Sequence, residues 1–263
     1  MGGCQGGYIN IWTGFAISRN VRIIDLKIEE HCQARIPVSL YTCRTLESLA
    51  SNGPFWVSAP SVVRLPKLEE LYISLEFYNA NEGEPPEVDG KLEIDAPALD
   101  FLCCDDHEWK EFSLKKLLFV EEVKLDLNAN LNVNGHYIER CNSIARLIEA
   151  LNHAVLLKLK GTIFEGLSNA STPLSVWFPR LTKLHTEYEC CQWSALGAMR
   201  GYSVTLEVLK IKKFQCGKDA HMSCWKDPNQ VPKSLSQSLT KVSFKDFQGF
   251  EDVLGMIRSS IAK

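Results

Sequence analysis

No apolar run in the 263-residue chain approaches the roughly 20 residues a helix needs to cross a bilayer. The opening MGGCQGGYIN has neither the basic start nor the apolar stretch of a secretory signal. It also puts Gly6 where the myristoylation pattern requires Ser or Thr. The chain therefore reads as cytoplasmic or nuclear, with no membrane partner. An excess of one charge is missing too: 29 basic residues meet 32 acidic ones, for a net charge of -3. Nucleic acid rewards a concentrated positive field, so it is not expected as a partner.

The motifs of catalysis are equally scarce. There is no glycine-rich phosphate loop, no Gly-x-Ser-x-Gly elbow and no His-Glu-x-x-His; HEWKE at His107 has Glu111 in place of the second histidine. The six histidines lie apart along the chain, and no enzyme is read from them. Ten cysteines without a secretory signal read as reduced thiols. Cys103 and Cys104, like Cys190 and Cys191, are adjacent, whereas metal-binding cysteines usually leave two or more residues between them. Cys216, His221 and Cys224 match no common zinc spacing and read as small loop or buried residues. No metal and no cofactor are expected.

What the chain does have is a 45% hydrophobic content, enough for a core, and a recurring frame of Leu-x-x-Leu-x-Leu. LPKLEELYISLEFY carries one copy at Leu68, Leu71 and Ile73, and others start at Val21, Val120 and Leu206. Weaker copies start at Leu46, Leu99, Ala154, Leu181 and Leu239, with 21 to 34 residues between successive starts. Each frame predicts a short strand with its apolar side chains inward, laid parallel to the one before, because no unit buries its apolar face alone. The fold class is α/β: an irregular leucine-rich-repeat solenoid, a curved parallel sheet with helices and loops on its convex side. Leu68, Leu71, Ile73, Leu206, Leu209 and Ile211 should be buried, and Glu69, Glu70, Lys210 and Lys212 exposed.

Between frames, Pro37, Pro54, Pro60 and Pro66 punctuate the chain. YIERCNSIARLIEALNHA spaces Ile138, Ile144, Leu147, Ile148 and Leu151 as a helix does. YNANEGEPPEVDGK, from Tyr78 to Lys91, reads as an exposed acidic loop. The sequon at Asn169 is not expected to carry glycan inside the cell.

Three stretches resemble the plant F-box proteins that carry leucine-rich repeats and a C-terminal FBD segment. IWTGFAISRNVRIIDLKI is similar to that family's Trp-x-x-Phe-Ala-x-x-Arg-Asn-Val opening of a repeat. IPVSLYTCRTLESL, followed by VVRLPKLEELYI and LEIDAPALDFL, is similar to its Pro-x-Ser-Leu-Tyr-x-Cys signature. SCWKDPNQVPKSLSQSLTKVSFKDFQGFEDVLGMIR resembles the FBD opening. The resemblance divides the chain into a short opening segment without an F-box (1–19), irregular leucine-rich repeats (20–222) and a partial FBD segment continuing the solenoid (223–263).

What the resemblance implies is the substrate-recognition arm of an SCF-type E3 ubiquitin ligase, with an F-box gripping a Skp-type adaptor and the repeats gripping a target protein. The residues ahead of Trp12 are too few for F-box helices, so no Skp-binding residues carry over and Skp binding is not expected of this chain. A stand-alone scaffold or decoy that binds the target without ubiquitination is the alternative, as is a truncated product without function.

In such a solenoid the residues between the inward leucines face the concave surface and the target protein. They include Glu47, Glu121, Lys158 and Lys241, and the partner-binding set is Glu69, Glu70, Tyr72, Glu122, Lys124, Lys183, His185, Lys210 and Lys212. Taken singly, each of these charges reads better as part of a solvated strand face. Together, acidic early and lysine-rich late, they predict a charge gradient matched to a partner of opposite order.

Overall fold

The computed structural model describes residues 7–27, 34–35, 38–52, 55–56, 62–75, 91–106, 111–115, 117, 119–128, 137–172, 177–188, 203–213 and 238–246. Residues 76–90, His107, Cys190, Cys191, the Cys216–His221–Cys224 group and residues 251–263 of the partial FBD segment lie outside them.

The chain begins with α1 (Gly7–Ser18), β1 (Ile23–Lys27) and β2 (Ala34–Arg35). A 3-10 turn, Val38–Thr42, leads to β3 (Ser48–Asn52), β4 (Phe55–Trp56), β5 (Val62–Arg64) and β6 (Glu70–Leu75). Next come β7 (Lys91–Asp95), β8 (Phe101–Asp106), β9 (Glu111–Lys115) and β10 (Glu122–Leu127). After α2 (Tyr137–Ala150), β11 (Leu156–Gly161) and α3 (Ile163–Asn169), the order closes with β12 (Lys183–Tyr188), β13 (Val208–Lys213) and β14 (Lys241–Lys245). The architecture is mixed α/β with parallel sheets and few helices.

Nine strands form one parallel sheet in chain order, β1-β3-β6-β8-β10-β11-β12-β13-β14. Each corresponds to one of the nine leucine frames. The register keeps the frames in phase: Ile24, Leu49, Leu71, Leu102, Val123, Leu157, Leu184, Leu209 and Val242 align across the sheet. Alternate residues of a strand point to opposite faces, so a shared register stacks these side chains into one apolar row. The row is buried from Ile24 to Leu209, while Val242 is 37% exposed. Ile73, expected to be fully buried, is only partly buried against this core, as are Val21, Leu26, Leu239 and Phe244.

A second row of contacts fixes the phase on the backbone. The Glu47 carbonyl accepts hydrogen bonds from the amides of both Glu69 (2.8 Å) and Glu70 (3.0 Å). Arg22, Glu69, Asp100, Glu121, Val155, Thr182 and Glu207 repeat this double acceptance, each holding the two residues that follow the next frame's first apolar position. A one-residue slip would break these pairs and turn the leucines outward.

One kind of turn leads into three of the frames. Leu65-Pro66-Lys67-Leu68, Ala96-Pro97-Ala98-Leu99 and Phe178-Pro179-Arg180-Leu181 each place proline second in a turn. Each turn is closed by the amide of the frame's first leucine, at 3.2, 3.1 and 3.4 Å. Proline's fixed φ suits that second position. β5 and β7 run directly into the first two of these turns, and with β9 they pair parallel as a separate three-stranded sheet, an element the leucine frames did not announce.

α1 occupies part of the segment read as a simple opening. It ends where Asn20 takes a left-handed conformation, φ 56°. There Asn20 N–H bonds the Ile17 carbonyl (3.0 Å) and Val21 N–H bonds the Ala16 carbonyl (3.3 Å). This is the Schellman termination, for which asparagine is the usual substitute for glycine, and it gives Arg19-Asn20-Val21 its physical content: stop the helix and start the first frame. α2 is buried along Ile144, Leu147 and Ile148, with Leu151 just beyond its end, and it packs on α3 and β9. Ile138, expected on that face, is 46% exposed one residue into the helix. No described helix is long and apolar enough to cross a membrane.

Candidate functional site

On the face of the nine-stranded sheet opposite the leucine row, the in-between residues form columns of their own. One column runs Asp25, Ala50, Tyr72, Cys103, Lys124, Lys158, His185, Lys210, Ser243. A neighbouring column includes Glu70, Phe101, Glu122, Leu156, Lys183, Val208 and Lys241. The structure thus gathers Glu70, Tyr72, Glu122, Lys124, Lys183, His185 and Lys210 on one face, with Lys212 two residues further along β13. Glu69 sits one position before β6, in the row of carbonyls at the sheet edge, and is exposed.

The early strands contribute an aromatic step. The Tyr72 and Phe101 rings lie 4.7 Å apart and tilted by 33°, and Lys124 places its Nζ 4.5 Å from the centroid of the Phe101 ring. Phe101 and Cys103 are participants that frame reading missed, because which strands are neighbours decides which rings meet. Burial pushes the Cys103 thiol above its ordinary range.

Glu122 marks the boundary to the basic half. It accepts a bond from Lys158 (2.7 Å) and an ion pair from Lys124 (3.2 Å). The Lys158 bond, helped by Lys124, holds its carboxyl below the usual range against the cost of burial. Beyond it, the outward positions of β11–β14 carry Lys158, Lys160, Lys183, Lys210, Lys212, Lys241 and Lys245, with Glu187 their one carboxylate. Lys160 (3.6 Å) and Lys212 (3.4 Å) share Glu187.

His185 lies in the middle of these lysines, in register with Lys158 on one side and Lys210 on the other. Its Nε2 is buried without a hydrogen-bond partner among the described residues. Burial, reinforced by Lys210, Lys158 and Lys183 and slightly opposed by Glu122, brings its pKa down from 6.5 to about 4. Between those values the unfolded chain binds the proton and the folded chain does not. Stability from this site is therefore complete above pH 6.5 and lost as pH falls towards 4. His185 is partly open to solvent, which discounts the effect to about 1 kcal/mol. Between pH 7 and pH 5 the wild type should lose about that much more unfolding free energy than His185→Gln. Parallel losses in thermal melts of the two would refute it.

Among the described residues no group of three His, Cys, Asp or Glu side chains could hold a metal ion. The arrangement offers cations, one aromatic step and a neutral imidazole along a continuous face.

No family model and no solved structure matches the chain. Among curated proteins it is similar to an F-box/FBD/LRR-repeat protein of Arabidopsis thaliana, 25% identical over 94% of this chain and 67% of that protein. A putative F-box/FBD/LRR-repeat protein of the same plant is 26% identical over 94% of this chain and 67% of its own length. A further F-box/FBD/LRR-repeat protein is 25% identical over 91% of this chain and 60% of its own. The chain thus spans about two thirds or less of the relatives it matches. The resemblance read from its motifs, to the plant F-box/FBD/LRR-repeat proteins, extends over about nine tenths of its length.

Proposed function

We propose that this relative of plant F-box/FBD/LRR-repeat proteins is a protein-binding module. In this reading it is a leucine-rich-repeat solenoid whose nine-stranded sheet forms a concave binding face. Repeats span 20–222, a partial FBD segment spans 223–263, and a target protein is held as by the substrate-recognition arm of an SCF-type E3 ubiquitin ligase in the cytoplasm or nucleus. The observation that carries this reading is the in-phase alignment of nine consecutive frames, which turns scattered in-between residues into one continuous surface. Repeat arrays characteristically bind through such extended surfaces. Binding rather than catalysis also suits the titratable groups there: the Cys103 thiol is held protonated by burial, and His185 is held neutral without a partner to activate.

The test is affinity purification of the tagged full chain from plant cells, beside a face variant (Tyr72→Ala with Lys210→Glu) and a control on β5 (Arg64→Glu). Partner proteins should fall at least about tenfold in the face variant and persist in the control. Equal recovery with both variants would overturn the reading. A Skp and cullin pair among the recovered proteins would tie the module to ubiquitination.

A further inference from the structure

We infer that the outward face of the nine-stranded sheet, from β6 through β8 and β10 to β14, takes a short acidic protein segment bearing one apolar or aromatic residue. The apolar side chain lies against Tyr72 and Phe101, and the carboxylates lie over Lys183, Lys210 and Lys241. This names the partner class for the protein-binding face proposed above and rests on that reading.

Charge complementarity carries the acidic part. Lys160 and Lys212 are held by Glu187, and Lys158 by Glu122, whereas Lys183, Lys210, Lys241 and Lys245 have no ion pair among the described residues. Four uncommitted cations on three successive strands gain from an incoming anion more than they lose in hydration when several carboxylates arrive on one chain. His185 sits in register between Lys158 and Lys210, so a neutral ring and not an acid separates the free lysines of β12 and β13 from the paired Lys158 of β11.

The aromatic step fixes the other end. Tyr72 is 37% exposed and packed against the Phe101 ring, which leaves aromatic surface for an apolar side chain. Parallel strands lie about 4.8 Å apart, so the three strand steps from Phe101 to Lys183 span about 14 Å and the five to Lys241 about 24 Å. An extended segment rises about 3.4 Å per residue and would place its acidic residues roughly four to seven positions from the apolar one. Nucleic acid fits this face less well. A uniform run of phosphates would rest on the four free lysines alone, and Glu122 and Glu187 would oppose it where it crosses them.

The experiment is fluorescence anisotropy of the full chain with a labelled peptide of one tryptophan, three Gly/Ser residues and four Glu/Asp residues. Its companions are a peptide with Gln/Asn for the acids, one with Gly for the tryptophan, and a ten-nucleotide uridine RNA. Saturable binding should weaken at least about tenfold with the amide peptide and with Lys183→Glu/Lys210→Glu, and about fivefold without the tryptophan. Tyr72→Ala should reduce the full peptide to the level of the tryptophan-free one. Lys183→Gln/Lys210→Gln, with an unchanged melting temperature, should fall between wild type and the charge reversal. No saturable binding, binding indifferent to the lysine variants, or tighter binding of the RNA would each overturn the inference. If the face variant still loses its cellular partner while the acidic peptide fails, the protein-binding reading stands and this assignment falls.

Discussion

Gly161→Ala is expected to lower the free energy of unfolding by about 3 kcal/mol. Gly161 closes β11 with φ +68°, a conformation L side chains rarely adopt, and a Cβ there would collide with the backbone oxygen of Leu127. That oxygen is committed: it accepts the amide of Thr162 at 3.0 Å as the chain leaves the sheet for α3. The clash is with backbone in a hydrogen-bonded register, so β10 or β11 must shift. Gly14→Ala is the internal control. It lies in α1 with nothing within 4 Å of the added atom, and should raise stability by about 0.5–1 kcal/mol through helix propensity. Denaturant titrations of the two variants should move in opposite directions; a neutral Gly161→Ala would mean that the turn into α3 rearranges freely.

Leu157→Ala should cost about 3–4 kcal/mol. Leu157 is fully buried on β11, with Val123 and Leu184 beside it in register. The hydrogen bonds on both sides of β11 keep its neighbours from collapsing into the hole. Val242→Ala removes a smaller side chain from the same row at its exposed end and should cost less than about 1 kcal/mol. Thermal melts of both would decide it; similar losses would show that the row is not packed as one core.

The nine strands were legible because each frame repeats the same inward positions and the sheet adds strands in chain order, so nothing depended on distant pairing. β5, β7 and β9 were hidden because KLEID and EFSLK alternate too briefly to stand out beside a leucine frame. Ile73 and Ile138 were misplaced for different reasons: Ile73 lies towards the far end of the early strand β6, and Ile138 in the first turn of α2. Pro66, Pro97 and Pro179, each two residues ahead of a frame's first leucine, were a usable signal. The outward placement of the lysines on β11–β14 followed from the frame itself. The Tyr72–Phe101 contact, the stacking of Lys124 and the desolvation of His185 depend on which strands become neighbours and how deeply their side chains lie, which spacing along one strand does not encode.

The doubly accepting carbonyls have a kinetic counterpart. Within the large sheet every strand is hydrogen-bonded only to the units before and after it in the chain, a few tens of residues away. Ordering one more unit closes only a short loop, a cost that grows slowly with loop length. Assembly can then spread from unit to unit like a zipper, and opening can run back the same way. Amide exchange should therefore be slowest near β10 and β11 and quicken towards β1 and β14, a gradient along the chain in place of one shared opening rate.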